Sequence, residues 1–201
     1  MTAAPSTAES QPSPRAEARR AQILNAARAC FREHGFHGAS IARICQAAGM
    51  SPGHIYHYFR NKEDIIAAIV EQDVARILDF HERMRTARDL RATVRACVSE
   101  GVMSALDAGE AALKLEIVAE AARNPRIAEL VRAADERLRT SFFEMMQEVG
   151  LHTAPECTQE CIDTLCAMFD GLMMRGVRNP GLDVAMITER YQRRVLELMG
   201  L

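Results

Sequence analysis

The sequence has no tryptophan and no long apolar run. No segment reaches the roughly 18 consecutive apolar residues of a membrane-spanning helix. Alternating stretches of Val, Ile, Thr and aromatic residues, which are typical of β-strands, are also missing. Ala, Arg, Glu, Leu and Met dominate instead, and these residues favour helices. We therefore expect the 201 residues to form an all-α protein with its own core and no membrane partner.

The signatures of common catalytic sites are absent as well. The sequence contains no nucleophile elbow, phosphate-binding loop, zinc-protease helix or dinucleotide fingerprint. Six cysteines fall mostly at core-facing helical positions: Cys30, Cys45, Cys97, Cys157, Cys161 and Cys166. This placement favours reduced, packed thiols, although the spacing of the last three leaves metal or redox sensing open. We expect no enzyme activity, no metal and no cofactor.

The first 14 residues are rich in Ala, Pro, Ser and Thr. They lack the apolar core of a secretory signal, and their composition is typical of disordered segments. The sequence therefore predicts a disordered arm over residues 1–14 and a cytoplasmic location.

A short amphipathic helix is predicted between Ser40 and Gly49. Ser40 is suited to cap its start, and Gly49 to end it. Apolar residues in between recur at the spacing of one helical face: Ile41, Ile44, Cys45 and Ala48.

A second helix start follows at Ser51 and Pro52, where a capping hydroxyl precedes a proline that needs no N–H partner. Ile55 and Phe59 are predicted to point inward from this helix. The opposite face then carries Gly53, His54, His57 and Tyr58. Two short helices joined by a glycine-containing turn form the helix-turn-helix pattern, in which the second helix enters the major groove of DNA.

Charge is divided unevenly along the chain. Residues 1–62 hold eight basic side chains against three acidic ones, whereas the remainder holds 17 against 24. We call residues 15–62 the head and residues 63–201 the body. The basic head is expected to meet phosphate, and the acidic body is not.

The apolar periodicity predicts about nine helices. Helix 1 runs from about 15 to 34, with Gly35 as a left-handed cap. Helix 4 is capped by Asn61, with Asp64 three residues on, and extends to about residue 85, so it must link head and body. Further helices are predicted at about 90–106, 110–123, 125–149, 156–175 and 182–199, with a turn near Gly109.

The last two predicted helices are apolar over more than one face, which exceeds what one core contact needs. We therefore expect a homodimer with a four-helix interface. The residues assigned to it are Cys161, Leu165, Met168, Leu172, Ile187, Tyr191 and Val195.

Residues 20–70 resemble the tetracycline-repressor (TetR) family of one-component transcription factors. The resemblance is carried by a spaced set that runs on into a long fourth helix: Gly49, Ser51, Gly53, Tyr56, Phe59 and Lys62. Ala39 stands where the family usually has a phosphate-contacting Thr, so Ser40 would provide both cap and contact. The segments LEIVAEAARNPRI and DGLMMRG are similar to the betaine-regulator-like subgroup of C-terminal domains.

The resemblance implies that double-stranded DNA is contacted by Ser40, Arg43, Ser51, Gly53, His54, Tyr56, His57, Tyr58 and Lys62. Gly53 has no side chain to hold the helix away from base edges, and His54 can donate or accept there. His57, Tyr58 and Lys62 suit phosphate oxygens. Two alternatives remain open: Tyr56 packs inside the head, and the two histidines are merely solvated.

The resemblance also implies a small-molecule pocket among helices 4 to 8. The candidate residues are Cys97, Glu116, Glu120, Phe142, Met146, Phe169 and Met173. Glu116 and Glu120, four residues apart, suit a cationic ligand or an ion-paired face with Arg123. The aromatic and thioether side chains suit an apolar cavity or plain core.

The function that follows is a ligand-responsive homodimeric regulator. We expect a repressor that leaves a near-palindromic operator when an unknown small-molecule effector binds the body. One alternative is a DNA-binding regulator controlled by a protein partner or by redox state. Another is a small-molecule-binding or enzymatic protein that merely retains the head.

Overall fold

The computed structural model describes residues 13–151 and 155–201, apart from the side chains of residues 155–157. Regular structure in these ranges is entirely helical, which confirms the predicted all-α class. The predicted arm falls almost wholly outside the described residues, as does the side chain of Cys157. Ser13 and Pro14 already belong to the start of the first helix, where Ser13 is the N-cap.

The described residues form nine helices. They are α1 (Pro14–Gly38), α2 (Ile41–Ala48), α3 (Pro52–Tyr58), α4 (Lys62–Arg85), α5 (Leu90–Leu106), α6 (Ala108–Ala121), α7 (Pro125–Glu148), α8 (Pro155–Arg178) and α9 (Val184–Met199). None of them combines the length and the hydrophobicity that a membrane span requires.

Short polar side chains set most of the helix starts. Asn61 Oδ1 accepts from Asp64 N at 2.8 Å, as the sequence predicts for the start of α4. Asp89 and Asp107 cap α5 and α6 in the same way. Each such cap stabilises its helix by about 1 kcal/mol, because it satisfies an N–H that has no partner within the helix.

The end of α1 departs from the prediction. Gly35 has the expected left-handed φ of 67°, but the chain then makes one more helical turn to Gly38. The extra turn follows from a contact that the local sequence does not reveal: Glu116 Oε1 accepts from Phe36 N at 2.7 Å. The Phe36 side chain is buried beneath this turn.

The predicted turn near Gly109 is wrong. Asp107 is both the C-cap of α5 and the N-cap of α6, so α6 begins at Ala108 and contains Gly109. A Cβ on Gly109 would lie 2.8 Å from Arg32 Nη1, so this glycine leaves room for the Arg32 guanidinium beside α6.

Two apolar cores stabilise the chain. The first joins side chains from α1 to α4 with three buried side chains from α6 and α7: Leu113, Ile117 and Ile127. The second lies wholly in the body, among the C-terminal end of α4, α5, the start of α6 and α7 to α9. Because the first core crosses the boundary between head and body, the head is packed directly on α6 and α7.

Candidate DNA-binding surface and body interior

The inner face of α3 anchors it in the head. Ile55 and Phe59 are buried in the first core, and Ser51 Oγ accepts from His54 N at 3.4 Å to cap the helix. The opposite face is exposed. Tyr56 is 54% exposed, so it does not pack inside the head as one interpretation of the sequence proposed.

Tyr58 supports the two histidines of α3. Its ring is half-buried against the first core and lies parallel to the His54 ring, with centroids 6.4 Å apart. The His57 ring meets Tyr58 edge-on at 5.1 Å. Both imidazoles are therefore held by ring contacts while they remain exposed to solvent.

The start of α2 lies beside this surface. Ser40 Oγ accepts from Arg43 N at 3.2 Å, so the hydroxyl already serves as the cap. The exposed Arg43 guanidinium has Nη1 3.1 Å from His34 Nε2. A Cβ on Gly53 would meet nothing within 4 Å, so packing gives no reason for glycine at this position.

The nine residues predicted to contact DNA divide into two groups. Seven are exposed in the structure: Ser40, Arg43, Ser51, Gly53, His54, Tyr56 and His57. Tyr58 and Lys62 are half-buried. Lys62 Nζ donates to Phe36 O at 2.6 Å and lies 4.3 Å above the Phe36 ring, so a phosphate would compete with these contacts.

The two glutamates predicted to meet a ligand face α1 instead. Glu116 binds the backbone of Phe36, as described above. Glu120 is 3% exposed, and its Oε2 lies 3.1 Å from His37 Nε2. No N–H is aligned with this oxygen, although Oε1 accepts from Asn124 Nδ2 at 3.2 Å. The sequence placed both carboxylates on one face correctly but did not reveal that the head covers this face.

A third carboxylate on α6 also binds α1. Arg28 Nη1 donates to Glu110 Oε2 at 3.1 Å, and Arg28 Nη2 lies 3.2 Å from Asp73 Oδ1 on α4. We call the contacts of Glu110, Glu116 and Glu120 with α1 the joint. It connects the head to α6 along most of the length of that helix.

The other predicted ligand residues pack in or against the second core. Cys97, Met146 and Met173 are buried. The Phe142 ring meets His81 edge-on at 5.4 Å, and Phe169 meets Tyr191 in the same way at 5.5 Å. A surface groove of about 400 Å³ lies between α4 and α7, but none of the seven predicted residues lines it.

His81 is a buried polar residue that the sequence analysis did not single out. It is 5% exposed, and its Nδ1 lies 2.9 Å from Ser141 Oγ. Burial, aided by the nearby positive charge of Arg85, lowers the pKa of His81 to about 4. The imidazole is therefore neutral at pH 7. Its position within an otherwise amphipathic helix gave no signal of burial.

Lys114 is a second polar residue that was missed, and the exposed Asp170 contributes to its electrostatic surroundings. Lys114 is half-buried on α6, and its ammonium has no hydrogen bond or ion pair within 4 Å among the described residues. Burial lowers the pKa of Lys114, while Asp73, Glu110 and Asp170 oppose that effect. Burial likewise raises the pKa of Asp170, and Lys114 opposes the shift. A lone lysine within the apolar run AALKLEIV was the available sequence signal.

The residues assigned to a dimer interface mostly point inward. Five are buried within the chain: Cys161, Leu165, Leu172, Ile187 and Val195. Met168 and Tyr191 are half-buried, and Tyr191 Oη donates to Met168 O at 2.9 Å. Exposed apolar side chains on α8 and α9 lie elsewhere, at Met174, Val177, Val184 and Met186.

The described cysteines are free thiols. Cys30, Cys45, Cys97 and Cys161 are buried, and Cys166 is exposed. Burial raises the pKa of Cys161 to about 11, which keeps this thiol protonated at neutral pH. The described part of the chain contains no cluster of three or more His, Cys, Asp or Glu side chains arranged to hold a metal ion.

Two sequence families match the chain. The family of bacterial regulatory proteins named tetR matches residues 23–69, and the C-terminal family of BetI-type transcriptional repressors matches residues 87–198. The chain therefore belongs to the TetR family of bacterial transcriptional regulators and has a BetI-type C-terminal domain, which confirms the resemblance seen in the sequence.

Individual relatives agree with this assignment. The chain is 41% identical over 118 residues to the HTH-type transcriptional regulator UidR of Escherichia coli K12, which covers 58% of this chain and 59% of UidR. It is 43% identical over 61 residues to the repressor AcnR of Corynebacterium diphtheriae, covering 30% of this chain and 32% of AcnR. The structure of Salmonella enterica GusR superimposes with a TM-score of 0.74 and 26% identity, covering 96% of this chain and 99% of GusR. UidR and AcnR are named as transcriptional regulators, and both matched families are regulatory, in agreement with the class of protein expected from the sequence.

Proposed function

We propose that the protein is a homodimeric repressor whose two heads bind a near-palindromic operator, and that a small molecule bound in the body releases it. The observation that carries this proposal is the division of α3 into two faces. Ile55 anchors one face in the core, while Tyr56, His54 and His57 leave the other free. A rigid helix with an uncommitted polar face is what major-groove recognition requires.

The dimer is proposed to form through exposed apolar residues of α8 and α9. Met174 and Val177 on α8 are accompanied by Val184 and Met186 near the start of α9. A second copy of the chain would bury these side chains and hold two heads about one DNA turn, roughly 34 Å, apart. This assignment replaces the inward-facing residues that sequence periodicity suggested.

Control by a small molecule is proposed to act through the joint. Glu116 and Glu120 connect α6 to the turn that ends α1, so a shift of α6 would change the orientation of the head. A ligand can favour such a shift only by binding one arrangement more tightly than the other.

Lys114 and Asp170 are the groups best placed to meet that ligand. Lys114 lies on the same helix as the joint and has no close internal partner among the described residues. An effector with a negatively charged group would compensate the burial of this ammonium, and a positively charged group would pair with the exposed Asp170 carboxylate.

Footprinting and fluorescence anisotropy on the DNA upstream of the protein's own gene test the proposal. We expect two protected half-sites one helical turn apart, and tight binding that needs their sequence. Salt-sensitive binding that ignores sequence would contradict a repressor function. Sedimentation of the wild type and of Val177→Asp tests the dimer: the wild type should be dimeric at micromolar concentration and the variant monomeric.

A regulator controlled by redox state or by a protein partner is the second candidate. The exposure of Cys166 and the close packing of the predicted pocket residues favour it. Release of the operator by hydrogen peroxide in the wild type, but not in Cys166→Ser, would support redox control over a small-molecule effector.

A further inference from the structure

The recognition helix has no permanent positive charge. Between Pro52 and Tyr58 there is no Lys or Arg, and the only groups that can become cationic are His54 and His57. An imidazole changes charge between about pH 5 and 8, unlike the arginines found elsewhere in the head. The charge that α3 presents to DNA therefore depends on pH.

Permanent cations near α3 are mostly engaged within the head. Arg43 is the only charged residue of α2, the helix packed against α3, and its guanidinium lies beside His34. On α1, Arg20 lies 5.1 Å above the Phe59 ring. Lys62 donates to the backbone of Phe36.

The segment after α3 adds charges of both signs. Arg60 follows the helix and is exposed, and Glu63 and Asp64 begin the next one. Asp64 accepts from the backbone N–H of Arg60 and pairs with Arg126 Nη2 at 2.8 Å, so its charge is already balanced.

The two imidazoles themselves have no such partners. Neither ring of His54 or His57 forms a hydrogen bond or an ion pair with another described residue, and the aromatic contact of each ring is with Tyr58. Their ring nitrogens are therefore available to an external acceptor. When protonated, each ring donates from both nitrogens to phosphate oxygens or to acceptors on purine edges.

We propose that operator binding is coupled to proton uptake by His54 and His57, so that affinity for DNA rises as the pH falls from 8 to 6. The inference rests on the proposed DNA-binding function. A phosphate within a few ångströms favours the protonated imidazole and typically raises a histidine pKa by about one unit. Each imidazole that meets phosphate then strengthens binding by about sixfold between pH 8 and pH 6.

Other groups contribute little in this pH range. The lowered pKa of His81, about 4, keeps this ring neutral throughout. Burial raises the pKa values of Cys30, Cys97 and Cys161, and these thiols stay protonated. The pKa of the exposed Cys166 is also raised, because partial desolvation and the nearby Asp135 carboxylate disfavour its thiolate. His34 contacts Arg43 and His37 contacts Glu120, and His152 lies outside the described residues.

Anisotropy titrations of the full-length protein with its footprinted operator, at pH 6, 7 and 8 and constant ionic strength, test the proposal. We expect affinity to increase at least about sixfold from pH 8 to 6 in the wild type. The gain should disappear in the double variant His54→Gln/His57→Gln and persist in the control His81→Gln, which replaces a buried histidine of the body. In His57→Lys, a permanent charge should strengthen binding at pH 8 and reduce the pH response.

Salt dependence gives a second readout that a purely structural role would not change. The slope of log affinity against log salt should be steeper at pH 6 by about 0.9 for each imidazole that neutralises a phosphate. A pH-independent affinity in the wild type, or a pH response that survives in the double variant, would overturn the inference. Absence of specific DNA binding at every pH would instead refute the proposed function.

Discussion

The histidines of the head and the body show how one side chain can have opposite roles in the same molecule. On α3, His54 and His57 are exposed, and their ring nitrogens have no internal partner among the described residues. On α4, His81 is buried against Ser141 and Phe142, and its pKa falls to about 4. The first two present uncommitted polar groups at the surface, whereas the third acts as a polar core residue.

The carboxylates of the body show a similar contrast between covered and exposed positions. In the body, Glu116 and Glu120 are covered by the turn that ends α1, so their chemistry is directed at the head. At the surface, Glu100 forms a bidentate ion pair with Arg83, which lowers the pKa of that carboxyl. Burial by a distant part of the chain, more than the residue type, decides which groups remain available for function.

The largest expected effect is the loss of unfolding free energy on acidification, which tests the burial of His81. The unfolded imidazole takes up a proton near pH 6.5 and the folded one only near pH 4, so the unfolded state binds more protons between these values. The part of the stability that depends on a neutral His81 is therefore fully present above pH 6.5 and is lost progressively as the pH falls toward 4. The loss attributable to His81 is about 3 kcal/mol of unfolding free energy.

Urea denaturation monitored by circular dichroism at a series of pH values measures this loss. His81→Gln keeps an acceptor for the Ser141 hydroxyl but does not titrate, so it should lack this part of the pH dependence. His54→Gln is the matched control from the exposed surface and should retain it. An unchanged profile in His81→Gln would show that the ring is not protonated differently in the two states.

Two glycines of the head provide the next largest contrast. At Gly35, φ is 67° and an added Cβ would lie 2.9 Å from Glu116 Oε1, so Gly35→Ala should cost about 2 kcal/mol of unfolding free energy. At Gly53 the space is open, so Gly53→Ala should leave stability unchanged or slightly higher. Its operator affinity should nevertheless fall about tenfold, because the methyl group would separate α3 from base edges.

Denaturation curves and anisotropy titrations on both variants separate the two effects. If Gly53→Ala bound the operator as tightly as the wild type, α3 would not approach DNA through this residue. If Gly35→Ala were fully stable, the turn at the end of α1 would have to adjust without the Glu116 contact.

Local rules predicted much of the fold. The bounds of α5 at Leu90 and Leu106, and the capping of α4 by Asn61, follow from residues within a few positions of each helix end. The errors arose where distant contacts dominate. The extra turn after Gly35 depends on Glu116, 80 residues away from Phe36, and no local pattern indicates that pairing.

For the candidate sites, too, local residues were informative, whereas contacts between distant parts of the chain were not visible in the sequence. The helix-turn-helix surface is a short continuous motif, so spacing alone placed Gly53, His54 and His57 on its exposed face. Spacing did not reveal that Tyr56 is exposed and that Tyr58 is half-buried. Periodicity in α8 and α9 correctly identified an apolar face on each helix. The most apolar face, however, is buried within the same chain, as Leu172 and Val195 illustrate. Exposed apolar residues such as Val177 become evident only once the inner face is known.

Removal of a joint contact should have an intermediate effect. Glu116→Ala would leave Phe36 N without its acceptor in a partly buried position, which should cost about 1.5 kcal/mol. Glu116→Gln retains a carbonyl oxygen and should cost much less. Urea denaturation compares the two variants. Equal losses would indicate that the carboxylate charge, and not the hydrogen bond to the backbone, stabilises the end of α1.

The smallest effect is expected at Lys114. Because its ammonium is half-buried without a close partner in the described structure, Lys114→Met should raise the unfolding free energy by up to about 1 kcal/mol. Burial lowers the Lys114 pKa, so the unfolded chain binds more protons as the pH rises through the folded value. The advantage of the variant should therefore shrink toward pH 10.5. If Lys114→Met were destabilising at pH 7, the ammonium would have a stabilising internal role and would be a poor candidate for meeting an effector.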